Sequence, residues 1–179
     1  MPKRIKMNNK ALLPLMIMVI LGVALSHLGL RDDDNGTLLM IDNRPIDIRG
    51  EFNNMWISLR RDCSNLKHLD PSDTQYLRVK NLIKSYSPPS SASAKLFTLI
   101  EYEGWILAEA EFVDLLPAII LIKTGEPSDD IQIIPNAIWS GFTKPWKTAP
   151  YVRSYISRQR SDVPQNLLDC FDPQSNSFN

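Results

Sequence analysis

Apolar positions fall into three patterns along this chain. The first is an almost unbroken apolar run from Ala11 to Leu25, preceded by Lys3, Arg4, Lys6 and Lys10 and followed by Arg31-Asp32-Asp33-Asp34. A basic stretch, an apolar stretch and the small-x-small sequence Ala24-Leu25-Ser26 have the layout of a secretory signal, with cleavage before His27. Extended to Leu30, the same stretch holds the twenty residues that an α-helix needs to cross a bilayer. Cations on one side only place the N-terminus in the cytoplasm and the body outside it. The expectation is a signal-anchor over residues 1–30, with a cleaved signal peptide as the alternative.

The second pattern is a three- and four-residue spacing, the mark of amphipathic helices. It appears in Phe52, Met55, Trp56, Leu59, Cys63 and Leu66, a stripe expected to face the core. It recurs in Tyr76, Leu77, Val79, Leu82, Ile83 and Tyr86, after the start signal Asp70-Pro71-Ser72 and before the stop at Pro88-Pro89. Two short helices are expected near the C-terminus, one opened by Pro150 and one by Pro164.

The third pattern is rich in β-branched and aromatic residues. It predicts strands over 95–103, 105–113, 117–123 and 131–139, with Glu103-Gly104 as a tight hairpin turn and Pro135 marking a bulge or an edge. Residues 31–50 contain turn formers and read as a tether, with one short edge strand over 37–41. Residues 51–173 form one extracytoplasmic domain, and 174–179 a frayed tail. The predicted fold class is α+β: an N-terminal transmembrane or signal helix, two helices, a four-stranded antiparallel meander and two short C-terminal helices. In this order of elements the chain resembles cystatin-like and nuclear-transport-factor-like folds, which implies a sheet wrapped around a helix and no residue role.

Composition narrows the function classes. The 179 residues carry 20 Lys and Arg against 20 Asp and Glu. Without residues 1–26, which hold four cations and no acid, the balance is 16 against 20, a formal charge of −4. A mildly acidic body does not suggest nucleic acid, which calls for a basic face. Cys63 and Cys170 are the two cysteines, and outside the cytoplasm an even pair tends to be oxidised. A Cys63–Cys170 bridge would tie the first helix of the body to the last. His68 is the one histidine beyond the leader, so a histidine-rich zinc site is excluded, and no cofactor or metal is expected. Phosphate-loop, dinucleotide and Gly-x-Ser-x-Gly motifs are absent from the sequence.

Two constellations stand out as candidate binding sites. Trp139, Phe142, Thr143, Lys144 and Trp146 lie on one loop, where aromatic rings give contact area at little entropic cost. Arg153, Arg158 and Arg160, with Lys144 and Lys147, add a local basic patch. The second constellation is a sheet face. If Tyr102 pairs with Trp105, then Thr98 meets Glu109 and Leu96 meets Glu111, all on one face. Glu109 and Glu111 would then lie about 6–7 Å apart, a separation some acid/base pairs use.

The reading that results is an exported, membrane-anchored, non-catalytic binding or assembly module of the cell envelope. It is expected in the inner membrane, held through residues 11–30, with its C-terminal domain in the periplasm and another envelope protein as its partner. A soluble periplasmic or secreted form after cleavage is the alternative location. A small-ligand pocket on the sheet face, or a hydrolase using Glu109 and Glu111, are the alternative functions.

Overall fold

A computed structural model describes residues 9–125 and 130–178. Lys3, Arg4 and Lys6 of the basic stretch, residues 126–129 of the turn before the last strand, and Asn179 lie outside the described residues. The fold is α+β and divides into two compact units, Met1–Ile48 and Arg49–Asn179.

The N-terminal unit contains helix α1 (Asn9–Ser26) and strands β1 (Leu28–Asp33), β2 (Gly36–Ile41) and β3 (Arg44–Ile46). Ten large apolar side chains of α1, from Leu13 to Leu25, are each 49–67 % exposed. The helix is 18 residues long, about 27 Å by helical rise. It stops at Ser26, and Leu28-Gly29-Leu30, counted above in the span, belong to β1. Pro14 falls inside the helix. Among the described residues no helix is long and apolar enough to cross a membrane.

The supposed tether is largely strand. β1, β2 and β3 form an antiparallel sheet in that order. Asp42 and Asn43, both at positive φ, make the left-handed turn between β2 and β3 that short polar residues tolerate. The turn formers that suggested a linker are thus the loops between short strands.

The C-terminal unit is built on a five-stranded antiparallel sheet in the order β4 (Lys67–His68), β5 (Lys95–Tyr102), β6 (Trp105–Glu111), β7 (Ala118–Thr124) and β8 (Ile131–Ser140). The sheet is therefore not the expected four-stranded meander; the dipeptide β4, too short to leave a period in the sequence, extends it by one edge strand. Glu103 and Gly104, at φ 47° and 75°, form the turn between β5 and β6. Pro135 lies in an irregularity of the β7–β8 pairing, on an edge strand.

Both faces of this sheet are covered, so it does not wrap a single helix as the cystatin-like order implied. On one face, Ile100, Trp105, Leu107, Ile119 and Leu121 pack with residues of α4 (Thr148–Gln159) and α5 (Gln165–Cys170), and with Phe171 and Phe178. On the other, Leu99, Ile106, Ala108, Ile120 and Ile122 pack with Val79 and Ile83 of α3 (Thr74–Tyr86). Sheet strands buried on both sides read as continuous apolar runs, which is the pattern of 118–122.

Helix α2 (Ile48–Ser58) reverses the expected amphipathicity. Ile48, Phe52, Met55, Trp56 and Leu59 are 46–74 % exposed, and Gly50 is its buried residue. The sheet face that such a stripe could have covered is occupied by α4 and α5. The helix also ends before Leu59, leaving Cys63 and Leu66 in the connection to β4. The Cys63–Cys170 disulfide is present, with a Cα–Cα distance of 5.8 Å.

Candidate functional site

The C-terminal helices and the tail close the sheet face proposed as a pocket. Tyr102 pairs with Trp105 and Ile100 with Leu107, as expected, but the register shifts between Leu96 and Leu99. Leu96 therefore meets Ala110, and Lys95 meets Glu111. Such a bulge moves one extra residue into a strand and displaces every pair beyond it. Trp105 is buried, with the ammonium of Lys123 4.0 Å and the guanidinium of Arg160 5.2 Å from its ring centre.

Glu109 and Glu111 hold the C-terminal segment in place. Glu109 is fully buried, and its two carboxylate oxygens accept the backbone N–H groups of Gln174 and Ser175, each at 2.8 Å. Glu111 accepts the Ser177 hydroxyl. The tail is therefore not frayed: Phe178 is buried against Trp139, and its carbonyl accepts the Thr148 hydroxyl at 2.8 Å. Both carboxylates are engaged by the tail, so the expected pair facing a pocket is absent from this arrangement.

The aromatic loop separates into an inner and an outer part. Trp139 is a core residue, with Tyr151 and Phe178 at ring distances of 5.9 and 5.7 Å. Thr143 is buried and hydrogen-bonded to the Thr148 hydroxyl. Trp146 is half-buried, while Lys144 and Phe142 are exposed, Phe142 to 64 %. Alternating inward and outward side chains is what a strand end followed by a tight loop imposes.

The basic patch is also taken apart. Arg153 is buried, donating to Asn54 Oδ1 at 2.8 Å and to the Asp169 carbonyl at 3.4 Å. Burial pushes its guanidinium pKa down, and the Asp169 charge opposes that. Arg160 donates twice to the Asp162 carboxylate, at 2.9 and 2.7 Å, which holds that carboxyl below its ordinary range. Arg158 donates to the Ser154 carbonyl of its own helix.

An open cleft lies elsewhere, at the end of the sheet where β6 turns into β7. Its volume is about 420 Å³. Ile83 of α3, Ile120, Ile133 and Ile138 of the sheet, and Leu115 and Leu116 of the connecting loop are among its walls. Asp114 and three serines supply its polar groups. Hydrogen bonds from backbone and serine hydroxyls hold the surrounding loops. Val113 N–H donates to Ser93 Oγ at 3.1 Å, and Gly141 N–H donates to the Pro117 carbonyl at 3.0 Å. Ser91 Oγ accepts Ser87 N–H at 3.0 Å and donates to the Lys84 carbonyl at 2.7 Å, fastening the end of α3.

The same loop exposes Val113, Leu115 and Leu116 to solvent, and the Gly141–Pro117 bond brings the base of the Phe142 loop to the start of β7. Exposed apolar side chains thus stand at the mouth of an apolar cleft. In the sequence the two exposed leucines fall between the strand expected to end at 113 and the one expected to begin at 117. Their signal was three apolar residues around a single acid in a connection that polar residues normally fill.

A second cavity, of about 370 Å³, adjoins the disulfide and includes Arg61, His68, Asp70 and Asp172. No group of three or more His, Cys, Asp or Glu side chains among the described residues is placed to hold a metal ion. No protein family, no curated protein and no solved structure matches this chain.

Proposed function

We propose that this chain is an exported, membrane-attached, non-catalytic binding module, whose cleft between α3 and the β6–β7 loop receives an apolar segment of another envelope protein. The observation that carries the reading is the open apolar cleft with Leu115 and Leu116 exposed at its mouth. Loops pinned by backbone bonds keep such a surface formed before a partner arrives, which lowers the ordering cost of association. Use of both candidate carboxylates by the tail supports a binding role over a hydrolytic one.

Export and attachment draw on two features. Helix α1 exposes apolar side chains all round, and a helix of that kind needs an apolar environment. The disulfide fits an oxidising compartment. The N-terminal cations orient the helix with its first residues in the cytoplasm and the disulfide-bonded unit on the other side, in the periplasm of a bacterial envelope.

A photo-crosslinking residue placed at Leu116 in living cells tests the cleft. One discrete protein adduct is expected, and it should disappear when Leu115→Asp puts a charge at the mouth. The absence of any adduct at Leu116, or an adduct indifferent to Leu115→Asp, would contradict the reading. A small apolar ligand is the second reading, because the cavity volume falls within the roughly 300–1,000 Å³ of small-molecule sites. Native mass spectrometry separates the two, since a retained small molecule adds its own mass to the purified chain.

A further inference from the structure

We propose that the outward stripe of α2 lies on a lipid bilayer surface, as a second attachment in addition to the N-terminal helix. The inference rests on the membrane attachment proposed above and adds a face to it. Helix α2 is oriented inside out. Its less exposed side, with Gly50 buried and Asn54 and Ile57 half-buried, joins the rest of the unit through polar bonds: Asn54 Oδ1 accepts from the buried Arg153, and the exposed Glu51 lies 3.3 Å from the Lys147 ammonium. Its apolar side, Ile48, Phe52, Met55 and Trp56, follows helical spacing and faces outward, and Leu59 just beyond its end is exposed too. A water-soluble surface helix has the opposite arrangement.

The side chains of the preceding segments point to lipid as the occupant. Within the N-terminal unit, Leu28 pairs with Ile41, while Leu30 pairs with Leu39 and Leu39 with Ile46. Ile46 therefore sits two residue levels, about 7 Å, and two strand spacings, about 10 Å, from Leu28. Leu28 begins one residue after α1 ends, and Ile48 begins α2 one residue after β3 ends. On one face of the N-terminal sheet the pairing and the two-residue period place Leu28, Leu30, Leu39, Ile41 and Ile46 together, bordered by Asp32, Thr37 and Arg44. Leu30 on that face is 77 % exposed. Three successive segments therefore present apolar side chains outward.

The side chains around the stripe suit a lipid–water boundary. The rings of Phe52 and Trp56 stack at 6.4 Å, and the Arg60 guanidinium lies 3.9 Å from the Trp56 ring centre. Arg49 borders a shallow groove of about 340 Å³ with Phe52, Asn53 and Trp56. Tryptophan with arginine beside it fits the interface, where the ring meets the acyl boundary and the guanidinium meets headgroup phosphates.

Fluorescence quenching tests this with the full chain reconstituted into phosphatidylcholine vesicles whose acyl chains carry bromine near the headgroup. Trp105 and Trp139 are buried and Trp146 is half-buried, so Trp56 should dominate the bromine-quenched emission. Trp56→Phe, at an exposed position, should abolish most of the quenching while the protein still floats with the vesicles. Quenching unchanged by Trp56→Phe in floating protein would overturn the lipid contact of α2 and leave the N-terminal attachment intact. Protein that fails to float would overturn both.

Discussion

Replacing Cys63 and Cys170 with serine should lower the free energy of unfolding by about 2–5 kcal/mol. The bridge joins residues 107 apart in the chain, and it ties the connection after α2 to the end of α5. Chain entropy sets the scale: closing a loop of about 100 residues restricts the unfolded ensemble by up to about 4.7 kcal/mol. The surroundings add to the effect, because Cys63 and Cys170 both pack against the core formed by α4, α5 and the sheet. Urea denaturation should show a lower midpoint for the double serine variant, and for the wild type after reduction. Equal midpoints would mean that the bridge contributes nothing to holding this unit together.

The second large effect is expected at Glu109. Its carboxylate satisfies two backbone N–H groups at once, at a site without solvent contact. Glu109→Ala leaves both donors without an acceptor. Each unsatisfied buried group costs about 1–3 kcal/mol, so a loss of about 2–6 kcal/mol is expected, with release of residues 174–178 from the sheet. Glu109→Gln retains one acceptor oxygen and should lose less. Amide hydrogen exchange at Gln174 and Ser175 reads the latch directly. Protection should fall strongly in Glu109→Ala, or in Glu109→Gln if the alanine variant does not fold. Native protection at both amides in the variants would contradict the assignment of Glu109 as the latch.

The elements that the sequence reveals are those with a local cause. The turn at Glu103-Gly104 needs two residues tolerant of positive φ, and the hairpin follows from it. The apolar stretch 118–122 can only be a strand buried on both faces or a helix segment, and its β-branched residues decide between them. Tertiary arrangements are less visible. A helical period shows that α2 has an apolar side but not what that side meets, and α4 and α5 occupy the place it was expected to fill. The bulge between Leu96 and Leu99 has no glycine or proline to announce it. The latch joins Glu109 to residues 65 and 66 positions away, and the tail that it captures has no periodicity of its own. The candidate site was obscured in the same way, since Leu115 and Leu116 become a cleft mouth only when α3 and the β8 end are brought to them.

Membrane attachment outside the cytoplasm is the central claim, and intact mass tests it most directly. Membrane and soluble fractions of cells that make the protein are alkylated without reduction, and the mass of the chain in each is measured. The account predicts a full-length, unalkylated chain in the membrane fraction: the N-terminal helix retained and Cys63 bonded to Cys170. A full-length soluble chain carrying two alkyl groups would contradict both export and attachment. A shorter soluble chain beginning at His27 would contradict attachment through α1.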